Sequence, residues 1–186
     1  FADRYAFVDV DDATGQVNAL GQDAIKVGLL YQPARVQPVG ATAVLNTNEF
    51  INGGDSVPRN RASLLQAFEN LAGARFVVNV NHLKSKSGIC DLADVGDGQG
   101  NCNPVRVNAV RALLAWLSTD PTGTGERDIL VTGDLNAYTH EDPIRLFAEA
   151  GYVNLHEMFS STKPYTYSFN GQWGALDYAL ASPEMS

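Results

Sequence analysis

The alternation of apolar and polar positions along the chain predicts strands before anything else. In RFVVNVNH at 75–82, Phe76, Val78 and Val80 fall on one face while Asn79 and Asn81 take the other, the period of two that a strand imposes. YAFVDV at 5–10, IKVGLLY at 25–31 and VQPVGATAVL at 36–45 are β-branched and aromatic with Gly, Pro and Asp at their borders, so consecutive strands are expected there. RASLLQAFE at 61–69 is ambiguous by period, but the break at 71–74 has the look of a hairpin connection to 75–82, which favours a strand. DILVTGD at 128–134 is a continuous apolar run suited to the middle of a sheet. YTYSF at 165–169 and ALDYALA at 175–181 close the chain with two more strands.

Two helices are marked by their starts. Asn103-Pro104 and Asp142-Pro143 each set a capping side chain before a proline at the first helical position, where a missing N–H costs nothing. Val107, Val110, Leu114 and Leu117 then recur at helical spacing, with Arg106 and Arg111 elsewhere on the wheel, and the helix ends before Asp120-Pro121. The second runs over Ile144, Phe147 and Ala148 and stops at Gly151, a left-handed cap. With no internal repeat, low-complexity tract or linker, the pattern is an α+β layered fold of one domain over 1–186.

Composition narrows the classes. The 186 residues carry 13 Lys+Arg against 21 Asp+Glu, a formal charge of −8, which excludes a basic nucleic-acid-coating protein. At 45% hydrophobic and 18% charged the chain is a globular protein, not a disordered one. No run approaches the roughly 18 apolar residues of a membrane span, and no signal peptide opens the chain. It begins at Phe1 without Met and stops at Ser186 just after an apolar run, so a trimmed piece of something longer is expected.

Cys90 and Cys102 bracket CDLADVGDGQGNC, which has neither helical nor strand period. A disulfide there would stabilise by about 3 kcal/mol in the chain-entropy model and would imply an oxidising compartment, secreted or periplasmic. The alternative is two unrelated reduced thiols. Asp91, Asp94 and Asp97 suggest a calcium loop, but their spacing departs from the alternating EF-hand pattern.

Four features could carry chemistry. GDLNA at 133–137 ends an apolar strand in an acid and an amide two residues apart, so Asp134 and Asn136 could meet one metal ion or phosphate together. The plainer alternative is a turn in which both bond the backbone. NHLKSKSG at 81–88 puts His82 at a strand end, with Lys84 and Lys86 following. A general acid or base and phosphate-facing cations are one reading; a structural hydrogen-bonder and solvated lysines are the other. Asp177 interrupts the apolar ALDYALA and needs a partner if buried, or else faces solvent from an edge. Arg61 is the weakest, with Arg59 beside it.

Taken in order, NHLKSK, GDLNA and LDYAL resemble the endonuclease/exonuclease/phosphatase superfamily, the group containing deoxyribonuclease I, exonuclease III and neutral sphingomyelinase. DAIKVGLLYQPARV at 23–36 and the Cys-bracketed loop resemble more narrowly its secreted bacterial extracellular nucleases. The resemblance implies a four-layer α/β/β/α sandwich, two packed mixed β-sheets with outer helices and a site at one end. It implies catalytic roles for His82, Asp134, Asn136 and Asp177, metal binding by Asp134 and Asn136, and phosphate contact by Arg61, with Lys84 and Lys86 as further substrate contacts. The implied cofactor is Mg²⁺ or Mn²⁺, with Ca²⁺ as a structural ion a further candidate. The family's upstream Glu, which partners the first His, and its last acidic motif have no counterpart in the chain, so the domain is expected to be incomplete at both termini.

The function these features imply is metal-dependent hydrolysis of a phosphodiester, with nucleic acid, DNA or RNA, as substrate and no protein partner inferable. Two alternatives stand beside it: a phosphoesterase of the same fold acting on phospholipid head groups or inositol phosphates, and a catalytically inactive binding module.

Overall fold

A computed structural model describes residues 4–185. The chain opens with β1 (Ala6–Phe7), α1 (Val10–Thr14), β2 (Leu30–Tyr31), β3 (Val36–Leu45) and α2 (Asn48–Ile51). It continues through β4 (Ser63–Asn70), β5 (Arg75–His82), α3 (Asn103–Leu117), β6 (Ile129–Asp134) and α4 (Asp142–Glu149). β7 (Val153–Asn154), α5 (Leu155–Phe159), β8 (Tyr167–Phe169), β9 (Gln172–Gly174) and β10 (Asp177–Ala181) complete it.

Six strands form one mixed sheet in the order β3-β4-β5-β6-β10-β7. β5 and β6 are parallel, so they need a crossover, and α3 supplies it; β10 returns antiparallel to β6. The hairpin between β4 and β5 is closed by Asn70, whose side-chain oxygen accepts the N–H groups of Ala72 and Ala74. That local cap is why 61–69 becomes a strand despite its ambiguous period.

The two faces of the sheet are unequal. On one, Leu65, Ala67, Val77, Val131 and Leu180 pack against Ala109, Val110 and Leu113 of α3 and Ile144 and Phe147 of α4. The opposite face of β5 and β6, with Phe76, Val78, Val80 and Leu130, is only half-buried. There the second layer is the small β1-β2 sheet, α1 and the segments joining them, from which Val8, Val10, Leu20 and Leu29 cluster with Leu64 and Val44. The fold is α+β with a mixed six-stranded sheet, small two-stranded sheets and helices, as the patterning implied.

Three local expectations differ. The strand at 5–10 stops at Phe7, because Asp9 caps α1 by accepting the Asp12 N–H. Only Leu30 and Tyr31 of 25–31 pair as a strand. Both proline-led helices start one residue earlier than the capping pattern implies: Cys102 and Glu141 are the N-caps, without side-chain cap bonds. Gly151 does adopt the left-handed conformation after α4, with φ of 87°.

Arg106 lies on the buried side of α3, not away from it, and is fully inaccessible. Its guanidinium donates to the carbonyl oxygens of Lys84, Asn101 and Gln99, so a helical charge fastens two loops. Cys90 and Cys102 are joined by a disulfide with Cα atoms 5.4 Å apart. No helix among the described residues is long and apolar enough to cross a membrane.

Candidate active site

The site is built by strand register. His82 is the Cα partner of Asp134 across the parallel β5-β6 pair, and Asp177 is the partner of the same Asp134 across the antiparallel β6-β10 pair. Register partners point to the same face, so one imidazole and two carboxyl groups form a row across three adjacent strands. His82 Nε2 lies 3.8 Å from Asp134 Oδ2.

Gly133 permits this spacing. A Cβ there would fall 2.0 Å from the Asn81 carbonyl oxygen, and its φ is 119°, so only glycine lets β5 and β6 approach directly beneath the row. Under it, buried Asn81 donates to Asn79, which donates to Ser63 and to the Leu64 carbonyl. The apparently polar face of 75–82 is therefore the buried one, satisfied by a side-chain ladder. Asn81 Oδ1 is left without a partner.

The loops leaving the strands are tied together. The Leu83 N–H donates to the Asp134 carbonyl, and the Leu135 N–H donates to the Leu176 carbonyl. Asn136, buried and left-handed at φ 49°, donates its side-chain amide to the Leu83 carbonyl at 3.0 Å while its own N–H donates to Asp134 Oδ1 at 2.9 Å. An Asn accepts this backbone where most residues do not. The side-chain oxygen of Asn136 is thereby oriented by its fixed nitrogen.

Burial pushes the Asp134 carboxyl above its ordinary value, and the charge of Asp177 adds to the rise. The Asn136 N–H, His82 and Arg61 pull it down without cancelling the rise. A carboxylate that holds its proton unusually well beside a second carboxylate is suited to a proton-transfer role or to a nearby cation.

Arg61 belongs to the same region: its N–H donates to the His82 carbonyl, and its guanidinium lies 3.5 Å from Asp23. Lys84 stands in a cluster of cations. Its pKa is lowered by burial first and then by Arg59, Arg106 and Arg61, and its ammonium donates to the carbonyls of Ser85 and Ser87. Arg59 is committed to buried Asp55 at 2.9 Å. Lys86 lies apart from the row and makes a buried-side ion pair with Glu141 at 2.5 Å while donating to the Gln99 carbonyl. Sequence reasoning missed Asn60, Arg106 and Glu141, which hold the Lys84 and Lys86 loop. Asn60 receives the Lys84 N–H. Nothing in a linear pattern distinguishes these from surface polar residues.

Among the described residues no group of three or more His, Cys, Asp or Glu side chains gathers as a metal cage. The donors present still suit a hard cation that keeps most of its waters, since Mg²⁺ is commonly held by one or two carboxylates. Asp134 with its raised proton affinity, Asp177 beside it and the Asn136 amide oxygen make such a set.

The sequence profile of the Endonuclease/Exonuclease/phosphatase family matches residues 7–186. No curated protein sequence matches the chain. Among solved structures, an endonuclease/exonuclease/phosphatase from Bacteroides vulgatus is similar at TM-score 0.64 and 15% identity, over 97% of this chain and 65% of that one. The human Nocturnin catalytic domain with bound sulfate gives 0.60 and 21%, over 83% and 51%. D. rerio TDP2 complexed with single-strand DNA product gives 0.58 and 15%, over 100% and 65%. The chain thus spans between half and two thirds of the length of these structures, and at such identities the likeness is one of fold.

Proposed function

Since this chain belongs to the Endonuclease/Exonuclease/phosphatase family, whose members are hydrolytic phosphoesterases, we propose that it is part of a divalent-metal-dependent phosphodiesterase, a nuclease acting on DNA or RNA outside the cytoplasm. The observation that carries this reading is the row His82, Asp134 and Asp177 on one sheet face with Asn136 pinned beside it.

Asp134 orients the attacking water and accepts its proton, a task favoured by the raised proton affinity of its carboxyl. His82 hydrogen-bonds a phosphate oxygen or gives a proton to the leaving oxygen. Asp177 keeps Asp134 basic through its charge. Mg²⁺ or Mn²⁺ held by Asp134 and Asn136 would neutralise charge growing on the phosphate oxygens. The role of Lys86 is narrower than its position in the sequence implies, because its charge is matched by Glu141.

The net charge of −8 opposes nucleic-acid binding at long range. Arg61 and Lys84 remain as the local cations near the row, so a modest salt slope of about one or two released counterions supports the reading. The Cys90–Cys102 disulfide supports secretion or the periplasm.

The test is plasmid nicking and oligonucleotide cleavage with Mg²⁺ and with chelator. His82→Ala and Asp134→Ala are expected to lower the rate by about 10²-fold or more; full activity in both variants, or in chelator, removes the assignment.

A further inference from the structure

Four aromatic rings stand in solvent on the hairpin that leads into the site. Tyr165 is 58% exposed, Tyr167 43%, Phe169 58% and Trp173 70%. Clustered exposed rings are uncommon on a surface with no use for them. Residues 165–174 contain no Leu, Ile, Val or Met, so the hairpin offers flat faces and not aliphatic bulk.

The rings are already ordered. Tyr165 and Trp173 stack with centroids 4.8 Å apart, and Tyr167 and Phe169 lie within 13° of parallel at 6.4 Å. The second spacing is close to two of the roughly 3.4 Å steps of a stacked nucleic-acid strand. Phe159, His156 and Lys163 join Tyr165 around a cavity of about 640 Å³ at the foot of the hairpin, adding cationic character to the aromatic surface.

The hairpin is fastened to the candidate site. The N–H groups of Leu176 and Asp177 both donate to the Thr166 hydroxyl. Gly174, the register partner of Tyr167, lies so close to the Tyr138 ring that a Cβ would come within 2.5 Å of it. Tyr138 follows Asn136 after one residue, in LNAY at 135–138, and has Lys86 Nζ 5.1 Å from its ring centroid. Tyr138, packed on Gly174 across from Tyr167, and the paired rings of Tyr167 and Phe169 thus mark an aromatic path from the Asp134 loop along one face of the hairpin.

We propose that this path is a stacking surface for the unpaired bases of a single-stranded nucleic acid. Bases in a duplex are stacked on one another and have no free face to give to a ring, whereas every unpaired base has one. Single strands, or unpaired stretches next to the cleaved bond, are thus the substrate class. The proposal rests on the phosphodiesterase reading for where the reacting phosphate lies.

The experiment uses the full chain in chelator, titrated with a fluorescently labelled oligodeoxyadenylate and read by anisotropy. Binding is expected to weaken about tenfold in Tyr167→Ala and in Phe169→Ala, with recovery in Tyr167→Phe, and to persist in Trp173→Ala, because Trp173 is the register partner of Ser168 and stands on the other face of the hairpin. Unchanged affinity in Tyr167→Ala and Phe169→Ala, a loss confined to Trp173→Ala, or equal affinity for a blunt duplex of the same length overturns it. Cleavage of the same oligonucleotide in Mg²⁺ is read separately. Ring-dependent binding without cleavage removes the phosphodiesterase reading and upholds the stacking surface; cleavage without ring-dependent binding overturns the stacking surface alone.

Discussion

His82 and Asp134 are register partners on the parallel strands β5 and β6, with Nε2 3.8 Å from Oδ2. Their spacing is set by the backbone ladder and not by a loop, so whatever separates the two strands separates the two side chains.

Gly133→Ala is the most direct way to do so. The added Cβ meets the Asn81 carbonyl at 2.0 Å, at a φ of 119°. A loss of about 2–4 kcal/mol in denaturant unfolding is expected, with phosphodiesterase activity falling further than the unfolded fraction explains.

Asp177→Asn is expected to change a pH profile. Burial raises the Asp134 carboxyl and the Asp177 charge raises it further. Removing that charge lowers the Asp134 pKa, so the acidic limb of kcat/KM moves to lower pH. A limb that stays in place or moves up contradicts the assignment of Asp134 as the base.

Asp134 is also expected to lower stability. An acid whose pKa is raised by folding binds its proton more tightly when folded, so its penalty is full above the folded pKa. The penalty shrinks as pH falls through that value and is gone below the unfolded pKa. Asp134→Asn should therefore raise Tm at pH 7, by about 2–4 °C for each kcal/mol relieved, and the gain should vanish in acid. Thermal scans of both proteins across pH measure this.

Lys86 is expected to act on stability. Lys86→Met leaves buried Glu141 without its cation, a loss of about 1–3 kcal/mol for a part-buried charge left unpaired. Lys86→Met with Glu141→Leu should recover most of it. A single variant with unchanged unfolding but weaker oligonucleotide binding would return Lys86 to substrate contact.

Reduction of Cys90–Cys102 should cost about 3 kcal/mol, read as a lower unfolding midpoint in dithiothreitol. The loop it closes supplies the Gln99 and Asn101 carbonyls that hold Lys86 and Arg106, so cleavage activity should fall with it.

The long elements were legible because their signals are local. Period two over 75–82, an unbroken apolar run over 129–134 and proline-led starts at 104 and 143 depend only on neighbours in the chain, and β5, β6, α3 and α4 follow them. The short elements α2, β7, α5 and β9 carry no such signal, being two to five residues long. Near Asp9 a cap overrode an apolar alternation, since one side-chain bond to the Asp12 N–H suffices to start a turn of helix.

By itself the sequence marked the candidates for chemistry: His82, Asp134, Asn136 and Asp177 stand out by type and by their places at strand ends. Only the tertiary structure decided which of them meet, and which of the flanking cations are held elsewhere. It set Asp134 between His82 and Asp177, turned Lys86 to Glu141 and buried Arg106 beneath the loop. Strand order and register are choices between segments distant along the chain, made by the burial of whole faces, and no window of neighbouring residues contains them.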